Sequence, residues 1–368
     1  MNRREFLATA SVASLGVVSG CTGGESETEW GGAVSEAEPG GWRFHRSDAR
    51  LSGSSDVSVR QPDGVSETFE ARGVLTTDSR ACFGPGVRCV RASASESENE
   101  TMAESGWLRG LPGDRAVVLS SGAVLVYDLA SGSVRHEQSV ADDARHPRVD
   151  SEHLYYSTED SGAVRILRLS DGEEWRVDVG QPTRVGAVAG KQRVVSWSGG
   201  TAAVGPGPEI TWSRSLANPS AASADGDRVY VGTTESGGGR VVALDAASGE
   251  ELWSVPMSMA VGTPTVGETY VFAGSTELTD GPEQPGRLVA IEKTTGTVQW
   301  ERESYADRAL LADDTLLLED GYDRPLVALD AATGEERWRA LPDGGNPVTV
   351  SDEGLYAKTA RDSVALLS

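Results

Sequence analysis

Two cysteines, Cys82 and Cys89, four histidines at 45, 136, 146 and 153, and an aspartate set in a repeated phrase are the residues whose types and spacing could do chemistry. The phrase reads VALDAASGEELW at 242–253 and VALDAATGEERW at 327–338, ten of twelve letters shared. The cysteines flank FGPGVR, and with Pro85-Gly86 as a two-residue turn residue 82 faces 89 across a hairpin. Oxidation is permitted outside the cytoplasm. A hydrogen-bonded pair position and a Pro-Gly turn that splays hairpins argue instead for two buried thiols, so disulfide and thiols both stand open. The histidines lack metal-ligand spacing, and no zinc site is expected. Asp245 and Asp330 each open a turn that ends in Ser-Gly or Thr-Gly. A carboxylate there accepts backbone N–H groups, and Gly249 supplies a positive φ, so these are turn residues and no catalytic, cofactor-binding or metal-binding residue is assigned.

The elements that would position these residues are repeats. Relaxing the phrase recovers LVAIEKTTGTVQW at 288–300, VYDLASG around Asp128 and ILRLSDGEEW up to Trp175, with AAVGPGPEITW ending at Trp212. The terminal positions are Phe69, Trp107, His136, Trp175, Trp212, Trp253, Trp300 and Trp338, at steps of 38, 29, 39, 37, 41, 47 and 38. Strand-like runs repeating about every forty residues signal a β-propeller or solenoid, whose units cannot bury their faces alone. In the fifth copy PSAASAD, RVYVGTT, GRVVALD and EELWSV read as four strands. One aromatic per unit at a fixed station is what packing between neighbouring sheets requires.

Composition narrows the partners. The chain has 368 residues and a net charge of −23, with lysine only at 191, 293 and 358. Such a surface repels nucleic acid and anionic headgroups. Acid spread along the whole chain is the solvated surface expected of a halophilic protein, because molar salt shortens the Debye length to about 3 Å.

The opening MNRREFLATASVASLGVVSGC combines Arg3 and Arg4, an apolar run too short to span a bilayer, and Val18-Ser19-Gly20-Cys21. It resembles a twin-arginine export signal joined to a lipobox, which implies lipidation of Cys21. Residues 1–20 are then a signal peptide, the Gly- and Glu-rich residues 21–41 a flexible tether, and 42–368 the folded body. Asn99-Glu100-Thr101 is an N-glycosylation sequon in the acidic stretch 92–105, read as an exposed loop between the last two strands of the first unit. A second insertion, 275–286, falls between the second and third strands of the sixth, on the opposite rim.

Ala328-x-Asp-x-x-Thr-Gly-x-x-x-Trp338 resembles the repeat of the pyrroloquinoline-quinone (PQQ)-like β-propellers, and GWRFHRSDARLSG at 41–53 resembles the opening segment of secreted members. The resemblance implies an all-β, eight-bladed propeller of four-stranded antiparallel blades. One branch of that superfamily, the quinoprotein dehydrogenases, binds PQQ with calcium, often beneath a disulfide of adjacent cysteines. Cys82 and Cys89 are not adjacent, and no acidic and Asn set matches that branch's sites. The other branch holds non-enzymatic binding propellers, such as the lipoprotein of the bacterial outer-membrane β-barrel assembly machinery, similar in size, anchor and blade count. The expectation is a monomeric binding or scaffolding propeller without catalytic activity or cofactor, lipid-anchored on the extracytoplasmic face of the cytoplasmic membrane and engaging a protein partner. The alternatives are a PQQ-dependent dehydrogenase with calcium and a carbohydrate-binding or carbohydrate-processing propeller.

The last blade lacks one strand in sequence order. After Trp338 the chain supplies PVTVSD, EGLYAKT and DSVALLS, while SETFEARG carries an aromatic, Phe69, one repeat early. Residues 66–71 are therefore expected to pair with 362–367 as the outer strand of the eighth blade.

Overall fold

Runs of alternating or continuous β-branched and aromatic residues, each broken by a Gly, Asp or Ser turn, leave this chain little choice but short strands. The computed structural model describes residues 54–367 except 56, 72, 78–79, 85–86, 92–99, 104–105, 113, 121, 141–143, 151, 159–161, 181–183, 190–191, 206, 259, 277–285, 305–308, 320–324, 341–345, 352–353 and 361–362. The signal residues Arg3 and Arg4, the lipidation residue Cys21, the tether, residues 41–53 and Asn99 lie outside the described residues.

The strands form eight antiparallel sheets, each ordered from an inner to an outer strand. The inner strands neighbour one another around a closed circuit, from Gly73–Thr77 in blade 1 to Asn346–Ser351 in blade 8 and back. This is the eight-bladed propeller implied by the repeat. Blade 5 has the four strands read from its sequence: Ser223–Ala224, Arg228–Gly232, Gly239–Asp245 and Glu251–Met257.

Each blade buries an apolar face on both sides, so the core is a set of interblade wedges. Trp253, Val255 and Met257 of blade 5 pack with Val266, Val271, Val289 and Ile291 of blade 6. Trp338 and Ala328 of blade 7 pack with Val350, Leu355 and Leu367 of blade 8. At about 25 cal/mol per Å² of apolar area, these wedges supply the main favourable term in folding.

The circuit closes as the sequence anticipates. Val65–Glu70 pairs antiparallel with Ser363–Leu367, placing Phe69 opposite Val364 and Thr68 opposite Ala365. Phe69 stacks on Phe83 of blade 1 with ring centroids 4.2 Å apart, and Tyr356 of blade 8 lies 6.2 Å away. The segment before this strand also reaches the inner edge: Ser54–Ser55 pairs parallel with Leu311 and Ala312 of blade 7, and Val57 and Val59 pack against the wedge of blades 7 and 8. A single stretch of chain thus ties the inner strand of blade 7 to the outer strand of blade 8.

Two strand assignments differ from the sequence reading. The outer strand of blade 1 is Glu100–Ala103, inside the stretch read as a loop, and Trp107 begins Trp107–Gly110, the inner strand of blade 2. Trp107 is therefore not a station aromatic. A bulge between Val87 and Arg88 sets Ala103 opposite Val87 and Glu100 opposite Cys89, so no aromatic of this strand takes the station's register. In blade 8 the bulge falls between Val65 and Glu67, which gives that register to Glu67. Phe69 lies two residues farther along the same face, because a strand donated from the other end of the chain sets its bulge by its own pairing.

Phe69→Ala is expected to lower unfolding free energy by about 3 to 5 kcal/mol, as for other buried Phe truncations. Denaturant unfolding followed by tryptophan fluorescence checks it, and a change under 1 kcal/mol would mean that the closing strand carries little of the fold.

Candidate functional site

The repeated phrase resolves into two halves that meet across a blade boundary. Asp245 Oδ1 accepts the N–H groups of Ala247 and Ser248 at 3.1 and 2.8 Å, and Gly249, at φ 70°, donates its N–H to Asp245 O at 2.8 Å. Asp330 Oδ1 accepts from Ala332 and Thr333 at 3.0 and 2.9 Å, and Gly334 sits at φ 73°. Each turn presents a bare glycine and a carbonyl to the tryptophan of the blade before it. Trp212 Nε1 donates to Ala246 O at 2.8 Å, Trp253 Nε1 to Lys293 O at 2.8 Å, and Trp300 Nε1 to Ala331 O at 3.0 Å. A methyl group on Gly249, Gly296 or Gly334 would stand 2.6, 2.8 or 2.7 Å from the indoles of Trp212, Trp253 and Trp300. Only glycine admits the ring, and the same glycine takes the positive φ. Arg214 and Arg302, two residues after their tryptophans, add bonds to Gly249 O and Gly334 O.

The step from Asp to Trp also has a structural cause. An eight-residue step carries a β-bulge, with Leu244 opposite Glu251 and Ala243 opposite Trp253. Blade 3, where the step is seven, pairs Leu167 with Glu174 and Ile166 with Trp175 without a bulge. In blades 2 and 7 the bulged residue is an arginine. Arg135 Nη2 reaches Asp114 Oδ2 at 2.7 Å and also binds Asp128, while Arg337 Nη2 reaches Asp314 Oδ2 and Asp330 Oδ2 at 2.7 Å each. The Arg135 guanidinium holds the Asp128 carboxyl well below the ordinary carboxylate range, and Arg337 lowers Asp330. These carboxylates are ionised and occupied, which suits a fastening and not a general acid or base.

A polar group of another kind lies among blades 2, 3 and 4. Arg109 stands on the inner strand of blade 2, Arg148 on the inner strand Ala144–Val149 of blade 3, and Arg193 on the second strand of blade 4, Gln192–Trp197. Arg193 is fully buried. Its Nη2 donates to Asp150 Oδ2 at 3.0 Å and its Nη1 to Gly186 O at 3.0 Å, and its guanidinium covers the Tyr155 ring at 4.2 Å. Asp150 Oδ1 accepts the N–H groups of Glu152 and His153 at 2.9 and 2.7 Å, with His153 Nδ1 3.7 Å away. Burial alone would raise the Asp150 carboxyl, but the His153 imidazole and the Arg193 charge outweigh it and hold the group at about 2. Burial pushes Arg109 down to about 10, and burial together with the charges of Arg109 and Arg193 does the same to Arg148. Tyr155 is pushed up by burial and by Asp150.

The residues singled out in the sequence are mostly scattered through the packing. Trp175, Trp212, Trp253, Trp300 and Trp338 hold outer-strand stations, His136 holds that of blade 2, and Trp107 and Phe69 are displaced as described. Cys82 pairs with Cys89 in the expected register, both buried, and the structure joins them as a disulfide. His153 lies beside Asp150, and among the described residues no three His, Cys, Asp or Glu side chains converge to hold a metal ion. The arginine group went unread. Its signal was present, since Arg109 and Arg148 are 39 residues apart, the same step that separates His136 from Trp175.

A family model described as outer membrane protein assembly factor BamB matches residues 175–309 and 284–368. The outer membrane protein assembly factor BamB of Burkholderia pseudomallei is 32% identical over 108 residues, 28% of this chain and 28% of that protein. The serine/threonine-protein kinase AfsK of Streptomyces griseus is 31% identical over 127 residues, 30% of this chain but 14% of the kinase. The chain thus spans far less than two thirds of either relative. Among solved structures, BamB from Moraxella catarrhalis superposes with TM-score 0.53 and 20% identity over 69% of this chain and 91% of its own. A quinohemoprotein alcohol dehydrogenase from Pseudomonas putida gives TM-score 0.56 and 13% identity over 88% and 76%. At these identities the structures show a shared fold.

A depressed carboxyl contributes stability above its unfolded pKa and loses it as pH falls through the folded one. For Asp150, lowered from 3.8 to about 2, that contribution is about 2 kcal/mol, present above pH 5 and lost toward pH 2. Asp150→Asn is expected to be less stable at pH 7 and to show an acid limb shallower by about that amount. Parallel limbs for parent and variant, in urea unfolding across pH 2 to 7, would contradict it.

Proposed function

The chain belongs to the family described as outer membrane protein assembly factor BamB, and from that premise we propose that it is a non-catalytic binding scaffold that engages a protein partner outside the cytoplasm. The observation that carries this reading is the use of the repeated residues. The Asp and Trp of the phrase bind turn N–H groups and the neighbouring blade's carbonyls. Side chains so engaged hold a rigid disc and leave its rims and outer edges as the variable surface, the usual arrangement for propellers that bind. The assembly role named for the relatives supports a protein as the partner.

The twin-arginine and lipobox motifs at Arg3, Arg4 and Cys21 support a lipid anchor on the extracytoplasmic face of the cytoplasmic membrane. The net charge of −23 disfavours nucleic acid and anionic lipid surfaces as partners. The disulfide between Cys82 and Cys89 suits that oxidising compartment.

The quinone-dependent alternative has the fold likeness to the alcohol dehydrogenase behind it. The donor set does not fit: the described residues offer no convergent acidic ligands for calcium, and the cysteine pair bridges a hairpin and is not vicinal. No reaction step is therefore derived through PQQ.

When the purified protein is mixed with PQQ and calcium and supplied with alcohols, sugars and an artificial electron acceptor, the cofactor is expected to remain free and no substrate to be oxidised. Stoichiometric uptake with turnover would overturn the scaffold reading. Independently, intact mass of the native protein should show lipid on Cys21, lost in Cys21→Ser.

A further inference from the structure

We infer that Arg109 and Arg148, at the inner ends of blades 2 and 3, form a binding site for a small multivalent oxyanion of the phosphate or sulfate class. The inner strands that carry Arg109 and Arg148 pack side by side, the charges of Arg109 and Arg193 both act on Arg148, and Arg193 pairs with the Asp150 carboxylate. That carboxylate is already saturated: Asp150 Oδ1 holds two backbone N–H groups and Oδ2 holds Arg193. Arg193 is in turn engaged by Gly186 O and the Tyr155 face, so this pair is a closed structural unit.

Arg109 and Arg148 are not closed in this way. Arg148 Nη1 donates to Pro147 O, its own chain neighbour, at 3.0 Å, and Arg109 lies 5.9 Å from the Trp107 ring. The Nε atoms of both are buried and donate to no protein atom among the described residues. Both residues keep partial exposure, so neither is sealed from solvent. Removing a guanidinium from water without a counter-charge costs several kcal/mol, and a like charge beside it adds to the cost. A chain with a net charge of −23 has carboxylates in excess, yet places none of the described ones against these two cations. A planar fork with free N–H donors matches a tetrahedral oxyanion, which can accept from both arginines at once, better than it matches a monatomic halide.

The test is thermal unfolding of the full-length protein in inorganic phosphate or sulfate against chloride at matched ionic strength. Binding to the folded state raises Tm with saturation. The expected result is a saturable rise with either oxyanion beyond that in chloride, with the midpoint concentration increased about tenfold or more in Arg148→Gln and in Arg109→Gln. In chloride alone Arg148→Gln should melt no lower than the parent, because the substitution removes an uncompensated buried charge. A purely structural arginine would instead give a variant that melts lower and keeps the parent's oxyanion response. Calorimetric titration of the folded parent with phosphate covers the case in which both variants fail to fold. No saturable rise beyond chloride, no calorimetric binding, or an unchanged response in both variants would overturn the site.

Discussion

The contact on which the rest of this propeller depends is the seat of one blade's tryptophan on the next blade's turn. A four-stranded blade is apolar on both faces and has no stable existence alone, so the sequence must specify how neighbours meet. Here it does so with one phrase. Its first half makes a carboxylate-capped turn with a glycine and an accepting carbonyl, and its second half carries the indole that rests on the following copy's turn. The aromatic supplies buried area while its N–H fixes register, a combination that a phenylalanine could not give. Repetition of the phrase is thus a repetition of both sides of an interface.

Other contacts add to the boundaries, whether the phrase is weak or strong. Between blades 3 and 4 lies the buried Arg193–Asp150 pair, and between blades 5 and 6 Lys293 Nζ meets Asp225 Oδ2 at 3.0 Å beside the Trp253 bond. Hydroxyl groups stitch the inner strands as well, with Ser223 Oγ donating to Pro264 O at 2.5 Å and Thr265 Oγ1 to Ala309 O at 2.6 Å. Between blades 8 and 1 stacked aromatics and the bond from Thr76 Oγ1 to Val350 O close the circuit. Electrostatics follows the same geometry: the arginines set on bulges neutralise paired turn carboxylates, whereas those near the inner strands of blades 2 and 3 have no such partners among the described residues.

The fold was legible because its determinants are local and recur. Asp, Gly and Trp at fixed offsets read out turn, positive φ and wedge filler, and the missing strand of the last blade announced its own replacement at Phe69. The errors fell where a residue type was right but its register was set elsewhere. Trp107 was given a station because it is a tryptophan at a plausible distance, yet the step of 29 to His136 was too short, and Trp107 begins an inner strand. The arginine group was signalled only in part, by the step of 39 between Arg109 and Arg148. Arg193 sits on the second strand of its blade and Arg109 and Arg148 on the first strands of theirs, so only the bend of the ring brings them together.

Amide hydrogen exchange in Trp253→Ala tests the central contact with a direction built in. The ring of Trp253 belongs to blade 5 but rests on Gly296 of blade 6, whose N–H donates to Glu292 O at 2.9 Å. The account predicts that protection at Gly296 and its turn falls sharply while Gly249, in the turn of the tryptophan's own blade, keeps its protection. Loss at Gly249 with Gly296 unchanged would mean that the tryptophan stabilises its own blade, and that the repeated phrase does not encode the interface.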